Sequence, residues 1–236
     1  MPANRPAPIF VFDVNETLLD LTFLEPLFAR CFGDAAILRN WFAQLILYSQ
    51  AMSLSGLYTP FSDLAAGALH MMGTIYGKPI GDADVAELRD RLARMPAHAD
   101  AAPALARLQE AGFRLVTLTN SPPSPSPTPL ERAGLGRYFE RNFSVDAVGR
   151  FKPAPETYAY VARELGVDRT SLCLVACHLW DTLGAQATGC LGALLTRPHN
   201  AVLPAPGLPH PDIVAPDLAD FARQVLETWP APSGPS

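Results

Sequence analysis

No apolar stretch in this chain approaches the roughly 18 residues that a membrane helix needs, so no membrane partner is expected. Charge is sparse: charged residues make up 17% and the net charge is −5. A nucleic-acid binder usually presents a basic face, so that class is set aside. The acidic balance does not exclude an anionic small molecule, which a few local cations can capture. The four cysteines, Cys31, Cys173, Cys177 and Cys190, show neither metal-ligand spacing nor the pattern of a secreted disulfide framework. Their scatter fits reduced thiols and a cytoplasmic location. The first eight residues lack the apolar core of a secretory signal.

What is present is apolar and ample. Hydrophobic residues make up 49% of 236, enough for one α/β domain with a smaller insert. Short apolar runs at 9–12, 114–119, 172–177 and 193–196 read as strands of a buried sheet. Helical patterns at 101–111, at 156–165 behind Pro155, and at 217–227 separate or follow them; Gly112 and Gly166 close the first two. Alternation of this kind predicts a doubly wound parallel sheet. The stretch 19–98 breaks the rhythm with four helices, at 24–31, 37–50, 61–76 and 82–93. It reads as a helical cap domain over the first strand's tip, leaving 1–18 and 99–236 as the core domain. The stiff Pro-rich segment 122–129 follows a strand tip, so it should rim the site as a spacer without substrate contact. The segment 199–216 reads as a surface connection and 230–236 as a frayed tail.

The chemistry sits at the strand tips, where open α/β sheets build their active sites. Asp13 ends the first run, and a carboxylate there can serve as a nucleophile that forms an ester. Thr119 and Asn120 put a hydroxyl and an amide at the second tip. Lys152 precedes a helix, and Asp181 follows the third run. Each is weak alone; their order and separation make a strong pattern.

In these residues the chain resembles the haloacid dehalogenase superfamily, and within it the type II L-2-haloacid dehalogenases, from residue 10 to about 226. The resemblance implies a Rossmann-like core, an inserted helical cap and Asp13 as nucleophile. It implies that Thr17 supports that carboxylate, that Lys152 keeps it ionised, and that Thr119 and Asn120 contact substrate or nucleophile. Tyr158 matches a Lys…Tyr pair of the dehalogenases, Arg39 falls on their cap arginine, and Phe61 and Trp180 would wall the pocket. A homodimer through the cap is expected on the same ground. Well-known members carry Ser and Asn at the places of Ala176 and His178, and some carry an aromatic–Gly pair at those of Asn15 and Glu16. His178 could activate water, donate to a halide, or only support its neighbours. Glu16 is expected to face solvent, and Cys177 to pack as a small apolar side chain.

Most of that superfamily are Mg²⁺-dependent phosphatases, which need a second Asp two positions after the nucleophile as acid and base. Here that place holds Asn15, which transfers no proton. A late metal-binding Asp becomes Cys177, and Mg²⁺ wants hard oxygen ligands. Halide leaves without a proton and needs neither group, so no metal or cofactor is expected. The reading is hydrolysis of small 2-haloalkanoic acids to 2-hydroxy acids through an ester at Asp13, with water activated near Asp181 and Arg39 on the halide or the substrate carboxylate. Alternatives are ring opening of another small 2-substituted carboxylate, such as azetidine-2-carboxylate, or a catalytically silent homologue. Asn15 and Cys177 argue against a phosphatase.

Overall fold

In strand β1 (Ile9–Phe12), side chains alternate faces with a period of two. Phe10 and Phe12 meet Phe221 edge-on, at ring-centre distances of 5.4 and 6.0 Å, and so point into the layer of the last helix. Val11 lies on the opposite side, by Tyr158 and Val161. Asp13, next in that alternation, therefore leaves the strand tip towards the groups that hold its charge. The computed structural model describes residues 6–229, so the tail expected at 230–236 and the first five residues lie outside the described residues.

After β1 come helices α1 (Glu25–Phe32), α2 (Ile37–Ser55), α3 (Phe61–Tyr76) and α4 (Asp82–Ala93). The chain then alternates α5 (Ala101–Glu110), β2 (Leu115–Thr119), α6 (Pro129–Arg132), β3 (Arg141–Ser144), α7 (Pro155–Leu165), β4 (Leu172–Ala176), α8 (Leu179–Ala187), β5 (Leu191–Leu195), β6 (Ile213–Ala215) and α9 (Leu218–Thr228). All strand pairs are parallel, in the order β3-β2-β1-β4-β5-β6. The chain winds outward from β1 to β3, then returns to place β4 on β1's other side. The tips of β1 and β4 are thus the topological switch point, where such sheets bind ligands. Asp13 N donates to Val175 O at 3.0 Å, locking the nucleophile's backbone to that switch.

Two strands depart from the sequence expectation. β3 carries exposed Arg141 and Asn142 and so lacks an apolar run, because it is an edge strand. β6 lies inside the Pro-rich segment expected to be only a surface connection, and it forms the opposite edge. β5 starts at Leu191, two residues before the expected run, with Gly192 tucked against the Gln186 side chain.

Helices α1 to α4 pack on one another through a shared apolar cluster that includes Leu27, Trp41, Leu69 and Leu88. They also reach the segment that leads to Lys152. Ser53 Oγ accepts from Phe151 N at 2.8 Å, Tyr58 OH donates to Asp146 Oδ1 at 2.5 Å, and the Tyr58 ring stacks on Phe151 at 4.9 Å.

Candidate active site

Lys152 is wholly buried, and its ammonium spends its three N–H bonds on Asp13 Oδ1 at 2.8 Å, Asp181 Oδ2 at 2.6 Å and Leu118 O at 2.9 Å. Asn120 Oδ1 accepts from Lys152 N at 3.0 Å and fixes the turn that presents it. Gly184 of α8 packs so close to that turn that a Cβ there would overlap Pro153. Thr17 donates to Asp13 Oδ2 at 2.7 Å and accepts from Cys177 N at 3.0 Å, tying the nucleophile's loop to the end of β4. Burial alone would raise Asp13's affinity for a proton. The Lys152 ammonium, followed by His178, more than offsets that and holds the carboxyl well below the ordinary carboxylate range. Burial also works against the charge on Lys152, yet Asp13 and Asp181 together push its pKa up, so it stays an ammonium. Burial raises Asp181 outright, with Lys152 only partly countering it.

Several expected contacts are redirected. Tyr158 is buried and donates its hydroxyl to Asp181 Oδ1 at 2.7 Å. Asn120 likewise serves the Lys152 turn. Trp180 is not in the wall of the large cavity but stacks on the His178 ring at 5.3 Å. The Arg39 guanidinium pairs with Glu16, in the loop that follows Asp13.

Glu16 overturns the expectation of a solvent-facing side chain, because it is buried. Its Oε2 meets His178 Nε2 at 2.8 Å, its Oε1 pairs with Arg39, and its carbonyl oxygen meets His98 Nε2 at 3.0 Å. Its φ is +66°, the left-handed region that costs a non-glycine residue about 1 kcal/mol or more. The clue in the sequence was a charged residue where some relatives keep glycine; its partners, more than twenty and more than a hundred residues away, could not be read from it. Arg197 was also missed: buried, it donates to Thr17 O at 3.0 Å and pairs with Asp100, bracing the loop from behind.

His178 lies between two carboxylates, with Nε2 on Glu16 and Nδ1 3.4 Å from Asp13 Oδ2. Burial disfavours its charge, but Cys177, Asp13 and Glu16 hold its pKa well above an ordinary imidazole's 6.5. A group raised on folding stabilises the fold fully below its unfolded value, and that contribution is lost as pH rises through the folded value. The melting temperature of wild type should therefore exceed that of His178→Asn most at and below about pH 6.5, with the gap closing as the solution becomes alkaline. A gap that widens with pH would contradict an imidazolium in the folded protein.

Glu16, Cys177 and His178 bring potential metal-ligand atoms within 4.8 Å of one another. The Arg39 guanidinium on Glu16 makes that cluster a poor cation site. Mg²⁺ of the phosphatase kind does not fit either: a thiol stands in the place of an acidic ligand, and Lys152 already bridges Asp13 and Asp181.

Beside this cluster lies a cavity of about 580 Å³, mainly apolar. Asn15 and Thr119 line it from the strand tips, and Phe42 and Phe61 from the helices. Pro122 and Pro123 also line it, so the Pro-rich segment is a wall of the cavity and not a mere spacer.

Residues 8–189 match the family model of haloacid dehalogenase-like hydrolases. The chain is 32% identical over 192 residues to an (S)-2-haloacid dehalogenase of Xanthobacter autotrophicus, covering 79% of this chain and 74% of that one. It is 27% identical to (S)-2-haloacid dehalogenase 4A of Burkholderia cepacia, over 93% and 92%. The solved structure of an L-2-haloacid dehalogenase from Xanthobacter autotrophicus with chloropropionic acid covalently bound superposes with a TM-score of 0.83 at 26% identity, over 93% and 98% of the two chains. With the matched model spanning most of its length, the chain belongs to the haloacid dehalogenase-like hydrolases.

Proposed function

We propose that the protein is an (S)-2-haloacid dehalogenase that displaces halide with the Asp13 carboxylate and then hydrolyses the resulting ester. The observation that carries this reading is a buried carboxylate at the switch point, kept ionised by Lys152, with Asn15 where a phosphatase needs its acid. Such a carboxylate is poorly solvated and held for in-line attack. It attacks C2, the carbon inverts, and halide departs as an anion without taking a proton. Water then attacks the Asp13 carbonyl carbon and frees the 2-hydroxy acid. That relatives of this chain are named for this reaction, and that one holds chloropropionic acid covalently, supports the same route.

The test is halide release in EDTA from both hands of 2-chloropropionate, from chloroacetate and from fluoroacetate. Release from (S)- but not (R)-2-chloropropionate that survives EDTA supports the reading, whereas release that needs Mg²⁺ counts against it. In labelled water, a single turnover should place the label in Asp13; label going straight into product would exclude the ester.

The cavity adds a prediction about substrate size. Its volume lies in the range that holds drug-sized ligands, several times what a three-carbon acid fills. Lengthening the apolar 2-substituent from methyl to butyl should lower KM by roughly fiftyfold, at about 0.8 kcal/mol for each of the three added methylenes. A steep loss of kcat/KM beyond three carbons would show that the cavity lies off the substrate's path.

In this reading residues 19–98 act as the cap that closes over Asp13. The apolar side chains that α2 and α3 leave exposed, Leu47, Leu54 and Ile75, suit the expected homodimer, which light scattering would test. The four cysteines form no disulfide among the described residues, which suits a cytoplasmic enzyme.

A further inference from the structure

We infer that His178 is the base that activates water in the second step, held in place by Glu16; this deepens the haloacid reading and rests on it. Three observations converge on His178. Its Nδ1 is buried, has no hydrogen-bond partner among the described residues, and faces Asp13 Oδ2 at 3.4 Å. Its Nε2 is anchored on the Glu16 carboxylate at 2.8 Å, the acid–imidazole pairing that orients a base and stabilises its charged form. Its ring is clamped between Trp180 at 5.3 Å and Phe42 at 5.4 Å, which fixes the direction of Nδ1.

Asp181 is the poorer candidate. It has no exposed surface, and its two oxygens are taken by Lys152 and Tyr158. Glu16 holds a backbone conformation that glycine would adopt without strain, and its carboxylate is shared between His178 and Arg39. A strained residue that persists because three partners over-determine it marks a functional device. Arg39 therefore acts here as the counter-ion that keeps Glu16 ionised.

The proton balance follows from the charges. Before reaction the imidazolium lies between Asp13 and Glu16, with Cys177 beside it; Arg39 faces it through Glu16, and Lys152 through Asp13. Alkylation turns Asp13 into a neutral ester, so the ring loses one of its two anionic partners and releases its proton to solvent. This is the proton that accompanies the departed halide. The neutral Nδ1 then takes a proton from water as the hydroxyl oxygen bonds to the Asp13 carbonyl carbon. The bond from that carbon to the alkoxide oxygen breaks, and the alkoxide takes the proton from the imidazolium and leaves as the 2-hydroxy acid. Asp13, now a carboxylic acid, returns its proton to Nδ1, and the starting charges are restored.

The experiment follows chloride release and the mass of the Asp13 peptide after rapid mixing with (S)-2-chloropropionate. Wild type should release chloride steadily without accumulating an adduct. His178→Asn should release a burst of chloride stoichiometric with enzyme, then slow about 10²–10⁴-fold with the ester trapped on Asp13. Glu16→Gly, which suits the backbone at that position, should hydrolyse the ester more slowly and with its pH dependence moved to lower pH, because the base loses its anionic partner. A purely structural role for Glu16 would leave that profile in place. Turnover by His178→Asn within a few-fold of wild type, or an ester that builds up in Asp181→Asn but not in His178→Asn, would overturn the assignment. A wild-type protein that releases no halide and forms no adduct refutes the haloacid reading itself, a failure distinct from either of these.

Discussion

Asp13→Ala is expected to abolish halide release, with kcat falling by about 10⁴-fold or more, the order seen when a covalent nucleophile is removed. The loss should be in kcat, because the cavity wall that would hold the substrate is untouched. The fold should survive. Lys152 still pairs with Asp181 at 2.6 Å and still donates to Leu118 O, so no buried charge is stranded. The melting temperature should fall by no more than a few degrees, since the stabilising Asp13–Lys152 pair is lost while Lys152 keeps its second carboxylate. Halide assays and calorimetry on one preparation check both halves. Release that continues at the wild-type rate would put the chemistry at another site.

Lys152→Met should be worse for the protein as a whole. It removes the cation that two buried carboxylates share, and breaking a buried pair in this way costs about 3–5 kcal/mol. For a chain of this size that corresponds to a fall in melting temperature of roughly 10 °C. Activity should drop by about 10²-fold or more, because the nucleophile loses the cation that orients it and favours its ionised form. The two effects separate with pH. In wild type, Asp13 stays ionised far below an ordinary carboxylate's 3.8, so its contribution to stability is complete above that value and fades only as pH falls towards the lower folded one. In Lys152→Met the carboxyls protonate early, so the stability deficit should shrink as the solution is acidified. A deficit independent of pH would mean that Lys152 acts through packing alone.

The parts of this molecule that could be read in advance are those that announce themselves locally. β1 shows as four consecutive buried apolar residues. α3 and α4 run over the expected residues, α3 closed by Gly77 and α4 opened by the Gly81 cap. Asp13, Lys152 and Asp181 could be singled out because strand tips and helix starts are where such folds place reactive groups. What escaped depends on partners distant in sequence. β3 and β6 are edge strands, and an edge carries less apolar signal than a strand with neighbours on both sides. Glu16 looked like a solvent-facing acid because neither Arg39 nor His178 lies near it in the chain. Asn120 was expected on substrate or nucleophile and Tyr158 beside Lys152, whereas their hydrogen bonds go to the Lys152 turn and to Asp181. Spacing carries a residue to the neighbourhood of a site, but the competition among buried groups for a limited set of donors decides what it does there.

The bond from Phe151 N to Ser53 Oγ has a mechanical meaning. Phe151 immediately precedes the residue whose ammonium keeps the nucleophile ionised, and Ser53 belongs to α2. If α1–α4 act as the proposed cap, any swing of theirs that admits substrate would pull on the chain that ends at Lys152. On that reading the position of the cap and the placing of the ammonium beside Asp13 would be geared to one another through a single bond.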